Sequence, residues 1–343
     1  MKKLNFLNKI VFFFNSVAAT FLLLSYVLPF VAPKTFSILS VLSLGVPFLI
    51  IVNVLFFLYW LLKIKKQFFL SFVVLVIGYL SFGSLYKFSN TNEVNNENSL
   101  TVMNYNVRLF NLYDWIEEAN TDVKLIDFIK EKAPDVINFQ EYHPNENVDL
   151  SFFKYKFEKL TGNKIKFGQA IFSQYPIINS GSVGFPNTSN NAIFADIVKH
   201  NDTIRIYNVH LQSLKLDTKV KVETISQEDS ERLVKRIGKS FEMQQTQTEL
   251  FLKHKNACKY KVVISGDFNN TAFSYVYKEM KEGLQDAFKV AGNGFGRTYD
   301  FKFFPTRIDF ILIDKALHVD AFKTYDVHYS DHFPVMARLS MMD

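Results

Sequence analysis

Lys261-Val-Val-Ile-Ser-Gly-Asp-Phe-Asn269 is a β-branched run that stops at a glycine and then presents an acid and an amide. The run reads as a buried strand over 261–265, with polar residues carried on its end. The same construction recurs in Asn104-Tyr-Asn-Val-Arg108, Gln140-Glu141, Asn208-Val-His-Leu211, Arg307-Ile-Asp-Phe310 and Ser330-Asp-His-Phe-Pro-Val335. One such string is weak evidence. Six in order, with acids, amides and histidines at the ends of apolar runs, place a polar site at one edge of a core.

Working outward from these strings, 100–107, 135–140 and 203–210 read as further strands, with 192–198 and 203–210 joined as a hairpin through His200-Asn-Asp202. Residues 168–173 and 177–183 flank Gln174-Tyr-Pro176 and read as two strands and a turn. Helical spacing runs over 121–132 and stops before Pro134; 229–255 and 272–282 also read as helices, the longer one polar on most faces. Strands over 307–313, 317–324 and 334–340 close the pattern. Many strands with few helices imply an α/β sandwich of two mostly antiparallel sheets with helices outside.

The part before residue 90 differs in kind. It holds eight lysines, no arginine and no acid, the first acid being Glu93. The net charge of +6 therefore belongs to this part, since 31 basic residues meet 33 acidic ones beyond it. The basic balance is no footprint for nucleic acid. Three apolar stretches, about 10–32, 36–62 and 67–86, approach or exceed the roughly 20 residues that cross a bilayer as a helix. Asn15, Ser16 and Asn53 are expected to face other helices, and Pro29, Pro33 and Pro47 mark ends or kinks. Lys2, Lys3 and Lys9 precede the first stretch and Lys63, Lys65 and Lys66 follow the second. That bias puts the N-terminus in the cytoplasm and everything after residue 87 outside, periplasmic in a Gram-negative cell. The expected organisation is a membrane unit over 1–88, an Asn-rich linker over 89–99 and a second domain over 100–343. Cys258 is the only cysteine, so neither an intramolecular disulfide nor a cysteine zinc site can form.

Hydrolysing a phosphodiester requires a cation on the phosphoryl oxygens, a base for water and donors for the developing charge. A hard cation such as Mg²⁺ takes oxygen ligands, for which Glu141 and Asp331 are candidates. Asp267, behind a glycine that permits close approach, suits water activation, while Asn106 and Asn269 add neutral donors. Asp309 can fix the tautomer of His332, and His210 is a second acid or phosphate donor.

Taken together, these strings resemble the endonuclease/exonuclease/phosphatase superfamily over roughly 100–340. That family includes pancreatic deoxyribonuclease, exonuclease III-type repair enzymes, neutral sphingomyelinases and inositol polyphosphate 5-phosphatases. The resemblance implies a four-layered α/β sandwich and a metal site of Asn106, Glu141 and Asp331 that takes Mg²⁺, with Mn²⁺ as a substitute. It implies a catalytic set of His210, Asp267, Asn269 and the Asp309–His332 pair, with Arg108 and Asn208 toward the substrate. Repair-type members carry an acid where Arg108 stands, which argues against abasic-site repair.

The expected function is a membrane-anchored phosphoesterase acting on nucleic acid. The alternatives are a phospholipid or sphingomyelinase-like phosphodiesterase or phosphatase beside the lipid bilayer, and a non-catalytic membrane binding module. His143 reads as a loop residue; His200, His254, His318 and His328 read as structural; Gly292–Gly296 reads as a flexible loop near the site. Phe303, Phe304 and Pro305 read as core rather than as an apolar edge, and 212–228 is a polar loop without a role.

Overall fold

The computed structural model describes residues 4–83, 85–88, 99–214, 227–301 and 304–341. The expected linker, apart from Ser99, lies outside the described residues, as do Lys2, Lys3, Phe303 and most of the 212–228 loop.

The chain opens with α1 (Phe6–Ser25), α2 (Ser37–Val41), α3 (Val46–Leu62) and α4 (Phe68–Phe82). Phe6–Phe30 and Ser37–Leu62 are the two stretches among the described residues that are long and apolar enough to cross a membrane. The third expected stretch is not a span of that length. α4 has 15 residues and stops where Gly83 turns to φ 82°; at about 1.5 Å per residue it falls short of a bilayer's roughly 30 Å core. Leu85 and Tyr86, which lengthened the apolar run, instead pack: Leu85 against the helix cluster, Tyr86 on Phe295 at 4.8 Å. Pro29 and Pro47 sit in the first turns of their helical segments, where a missing N–H costs nothing.

These helices are apolar outside and enclose a polar chain among buried apolar residues such as Leu22, Val46 and Trp60. Asn15 Nδ2 donates to Ser71 Oγ at 2.6 Å, Ser71 Oγ to Asn53 Oδ1 at 3.2 Å, and Asn53 Nδ2 to the Ala18 carbonyl at 3.2 Å. Phe13, Phe14, Phe21, Leu55, Phe69 and Leu80 are exposed.

The remaining elements are β1 (Leu100–Asn106), α5 (Thr121–Lys132), β2 (Val136–Tyr142), β3 (Tyr155–Thr161), β4 (Phe167–Ser173), β5 (Ile177–Ser182), β6 (Asn191–Lys199) and β7 (Asp202–His210). Then follow α6 (Gln227–Asn256), β8 (Lys261–Asp267), α7 (Tyr275–Lys281), β9 (Leu284–Asp286), α8 (Ala287–Ala291), β10 (Asp309–Asp314), β11 (Leu317–Thr324) and β12 (Val335–Met341). Two six-stranded sheets form, in the orders β11-β12-β1-β2-β4-β3 and β5-β6-β7-β8-β10-β9. Among the described residues only β1–β2 and β7–β8 pair parallel. β4 and β5 do not pair; the chain changes sheet at Pro176.

Alternation along the strands makes the layers. Met103, Tyr105, Ile137 and Phe139 face α5, and Tyr207, Val209, Ile264 and Phe310 face α6 and α7. Val102, Val136, Ile206, Val263 and Ile311 fill the space between the sheets. The fold is thus a four-layered α/β sandwich, with the N-terminal helices docked on one side.

Candidate active site

The inward positions turn polar at one end of β1, β2, β7, β8 and β10. On β1 Val102 is followed by Asn104 and Asn106, and on β2 Val136 by Asn138 and Gln140. On β7 Ile206 gives way to Asn208 and His210, on β8 Val263 to Ser265 and Asp267, while β10 begins at Asp309. Register holds these ends level: Asn106 lies opposite Gln140, His210 opposite Asp267, and Asp267 opposite Asp309. Gly266 makes the parallel β7–β8 approach feasible, since a Cβ there would lie 1.9 Å from the Val209 carbonyl oxygen.

The result is a compact constellation. Asp267 Oδ2 accepts from Asn106 Nδ2 at 3.1 Å and Asn269 Nδ2 at 3.2 Å, and Asp267 Oδ1 accepts from the Asn269 backbone at 2.8 Å. The ring nitrogens His210 Nε2 and His332 Nε2 each lie 3.7 Å from Asp267 Oδ2. His332 Nδ1 pairs with Asp309 Oδ2 at 2.9 Å, and the other Asp309 oxygen accepts from Asn104 at 3.4 Å. Glu141 stands beside Asn106 at 3.4 Å and His210 at 4.0 Å. Arg108 pairs with Asp331 at 3.0 Å and lies 4.5 Å over the Trp115 ring. Arg108, Glu141 and Asn269 all hold left-handed backbone, with φ of 42°, 49° and 49°; such strain gathers where geometry is fixed for function.

Electrostatics separate the groups. Burial alone would push His332 down, but Asp309 and Asp267 beside it lift it to about 10, so it is a cation at neutral pH. Burial lowers His210, against a smaller opposing pull from Asp267, and leaves it neutral. Its Nε2 is buried with no hydrogen-bond partner among the described residues, turned toward Asp267 and Glu141. Burial pushes Asp267 up to about 6, against the two histidines. Glu141 is raised by burial first and by the Asp331 charge second.

Two groups of side chains can hold a metal. Asp267, Asp309 and His332 offer ligand atoms within 4.8 Å of one another, but Asp309 and His332 already satisfy each other. Glu141, Asn106 and Asp331 offer oxygens, although Asp331 pairs with Arg108, and burial and then the Asp331 charge raise Glu141. That donor chemistry fits a hard divalent cation better.

Of the residues expected from sequence, Asn106, Arg108, Glu141, His210, Asp267, Asn269, Asp309, Asp331 and His332 come together. Asn208 stands apart from them. It is fully buried, donates to the Phe139 and Ala170 carbonyls, and accepts from Gln140 and Gln169. It ties the two sheets together beneath the site. Arg307, next but one to Asp309 in sequence, pairs with Asp286 at 2.9 Å.

Several contributors carried no motif. Gln244 of α6, on a helix that reads as polar and solvated, donates to the backbone of Gln212 at 2.8 Å and Asn269 at 3.2 Å. Thr298 Oγ1 accepts from the Asp309 backbone at 3.0 Å, and the Tyr299 ring lies 4.9 Å from that of His332. Phe304 and Pro305 are half-buried and line the cleft rather than the core. The loop at Gly294 is pinned to Lys87 by paired backbone hydrogen bonds of 2.8 Å.

Residues 103–332 match the model of the Endonuclease/Exonuclease/phosphatase family, and residues 8–85 match that of a domain of unknown function (DUF8431). No curated protein matches the chain in sequence. Among solved structures, an endonuclease/exonuclease/phosphatase from Beutenbergia cavernae is similar at TM-score 0.55 and 18% identity, covering 71% of this chain and 72% of that one. One from Bacteroides vulgatus is similar at TM-score 0.52 and 18% identity, over 71% and 99%. D. rerio TDP2 complexed with a single strand DNA product is similar at TM-score 0.52 and 16% identity, over 71% and 100%. With two thirds of its length matched by the family and its fold shared with these structures, the chain belongs to the endonuclease/exonuclease/phosphatase family.

Proposed function

We propose that the protein is a divalent-metal-dependent phosphodiesterase, anchored in a membrane with its sandwich outside the cytoplasm. The observation that supports the chemistry is the convergence of Asp267, His210 and the Asp309–His332 pair on one point, from three strands and the loop before β12.

In this reading Asp267, fixed by Asn106 and Asn269, takes a proton from water as the water oxygen bonds to phosphorus. The P–O ester bond breaks, and cationic His332 gives its proton to the departing oxygen. The proton on Asp267 then returns to His332 across the 3.7 Å between them. Neutral His210 donates to a phosphoryl oxygen, and Arg108 balances the phosphate charge. Glu141, Asn106 and Asp331 would hold Mg²⁺ or Mn²⁺, which supplies charge neutralisation at the phosphoryl oxygens.

Anchoring is supported by the apolar outer face of the helices, with Asn15, Asn53 and Ser71 turned inward. Lys9 and the Lys63–Lys66 turn lie at one end, where Tyr59 donates to Asn8 at 2.8 Å. The shorter α4, packed on α1 and α3, carries the chain back from that turn to the opposite end, which docks on the sandwich through Lys34 and α2, in keeping with a positive-inside orientation.

Turnover of a soluble aryl phosphodiester by the full-length protein tests the chemistry. Chelation should abolish it and Mg²⁺ restore it, while Asp267→Ala or His332→Ala should lower kcat/KM by about 10²–10⁴. Near wild-type turnover in either variant would sink the assignment. A second reading, nuclease action, is favoured by Arg108 stacked on Trp115 and by the DNA-bound TDP2 of like fold. Nicking of supercoiled plasmid checks it.

A further inference from the structure

The polar constellation is one end of a larger cleft. A single cavity of about 810 Å³ joins Asp267, Glu141, Arg108 and His332 to an apolar wall. One side of that wall belongs to the sandwich, through Phe295, Phe301 and Phe304; the other belongs to the N-terminal helices, through Pro47, Phe48 and Phe82. The site is therefore composite, and neither part completes it alone.

The junction is built rather than incidental. Lys87 and Gly294 exchange backbone hydrogen bonds, Tyr86 meets Phe295 at 4.8 Å, and Phe82 lies 6.4 Å from Phe273. Lys289 donates to the Phe82 carbonyl and so caps the end of α4. On the far side the Lys34 backbone donates to Gln245 at 2.9 Å.

We propose that this composite cleft seats the apolar chain of a membrane phospholipid while its phosphoester lies between Asp267 and His332. The inference rests on the hydrolase reading and names its substrate class. Three observations carry it. The apolar wall is continuous with the phosphate end in one cavity. Phe48 and Phe301 remain 61% and 42% exposed, an apolar lining that a polyanion would not stabilise. Two of the cations nearest the wall are already engaged, Arg307 by Asp286 and Lys289 by the Phe82 carbonyl. The wall also starts where α3 begins and α4 ends, so a chain leaving the apolar outer face of those helices enters without crossing water.

The test uses the full-length chain in nanodiscs, with phosphodiesters of increasing alkyl chain length. Wild type is compared with the Phe48→Ser, Phe301→Ser double variant, so that partition into the bilayer cancels. The wild-type to variant ratio of kcat/KM should grow with chain length, by up to about fourfold for each methylene that the serines leave facing water. A ratio independent of chain length, with turnover intact, would overturn the proposal and leave the hydrolase reading standing. Faster cleavage of single-stranded DNA, indifferent to the variant, would overturn it in favour of nucleic acid. Binding of non-hydrolysable alkylphosphonates separates the two readings if no diester is turned over. A wild-type to variant affinity ratio that grows with chain length would uphold the cleft and sink the hydrolase; a flat ratio would sink both. Thermal melts check that the variant folds, as the exposure of both side chains leads one to expect.

Discussion

Asp286 shows how one buried residue serves the site without touching substrate. Its carboxylate accepts from Tyr277 at 2.6 Å, from Arg307 at 2.9 Å and from the Phe288 backbone at 3.0 Å. Burial alone would push this carboxyl up, but Arg307 and Tyr277 hold it below the ordinary carboxylate range. A group whose folded pKa is depressed contributes stability above its unfolded value, about 4, and loses it as pH falls through the folded value. Asp286→Asn strands the Arg307 charge and should cost about 3 kcal/mol at neutral pH. Urea denaturation should show that gap closing below about pH 4; a gap that persists in acid would contradict the assignment. The residues of the candidate site were legible because they stand at the ends of apolar runs. Asn208 also ends one, and the sequence had no means of separating a side chain aimed at a cleft from one aimed at its neighbours' carbonyls. Gln244 was missed for the converse reason, since glutamine on a helix reads as solvated until the loop it holds is known.

Among the elements, β7 and β8 set the site because they are parallel neighbours closed tightly on Gly266. Gly266→Ala must separate them, at a cost of about 1–3 kcal/mol, and should take turnover with it by parting His210 from Asp267. A melting temperature and kcat at wild-type levels would show that the approach is not tight. In α1, α3 and α4 the chain Asn15–Ser71–Asn53 is the corresponding device. Asn53→Leu should lower resistance to unfolding in mixed detergent by about 1 kcal/mol for each hydrogen bond lost; an unchanged or raised midpoint would argue against a lipid setting. Strands with alternating or β-branched runs were readable, including the β6–β7 hairpin. β3 was not, because it is an edge strand carrying Lys156, Glu158 and Lys159, paired with β4 alone. β9, with three residues, is too short to show a period. The overlong third apolar stretch failed because hydropathy scores Leu85 and Tyr86 alike whether they meet lipid or protein.

At the scale of the whole molecule, orientation has a direct check in Cys258, the only cysteine and partly exposed near the end of α6. A membrane-impermeant maleimide should label it in intact spheroplasts; labelling only after lysis would place the sandwich in the cytoplasm. The clasp between Lys289 and Phe82, with the Lys87–Gly294 pair beside it, fixes the cleft at a set height over the end of α4. An enzyme held at that height samples a layer, not a volume. With a lipid substrate its rate should follow the mole fraction of that lipid within the bilayer, falling on dilution with inert lipid and ignoring the volume of buffer around it.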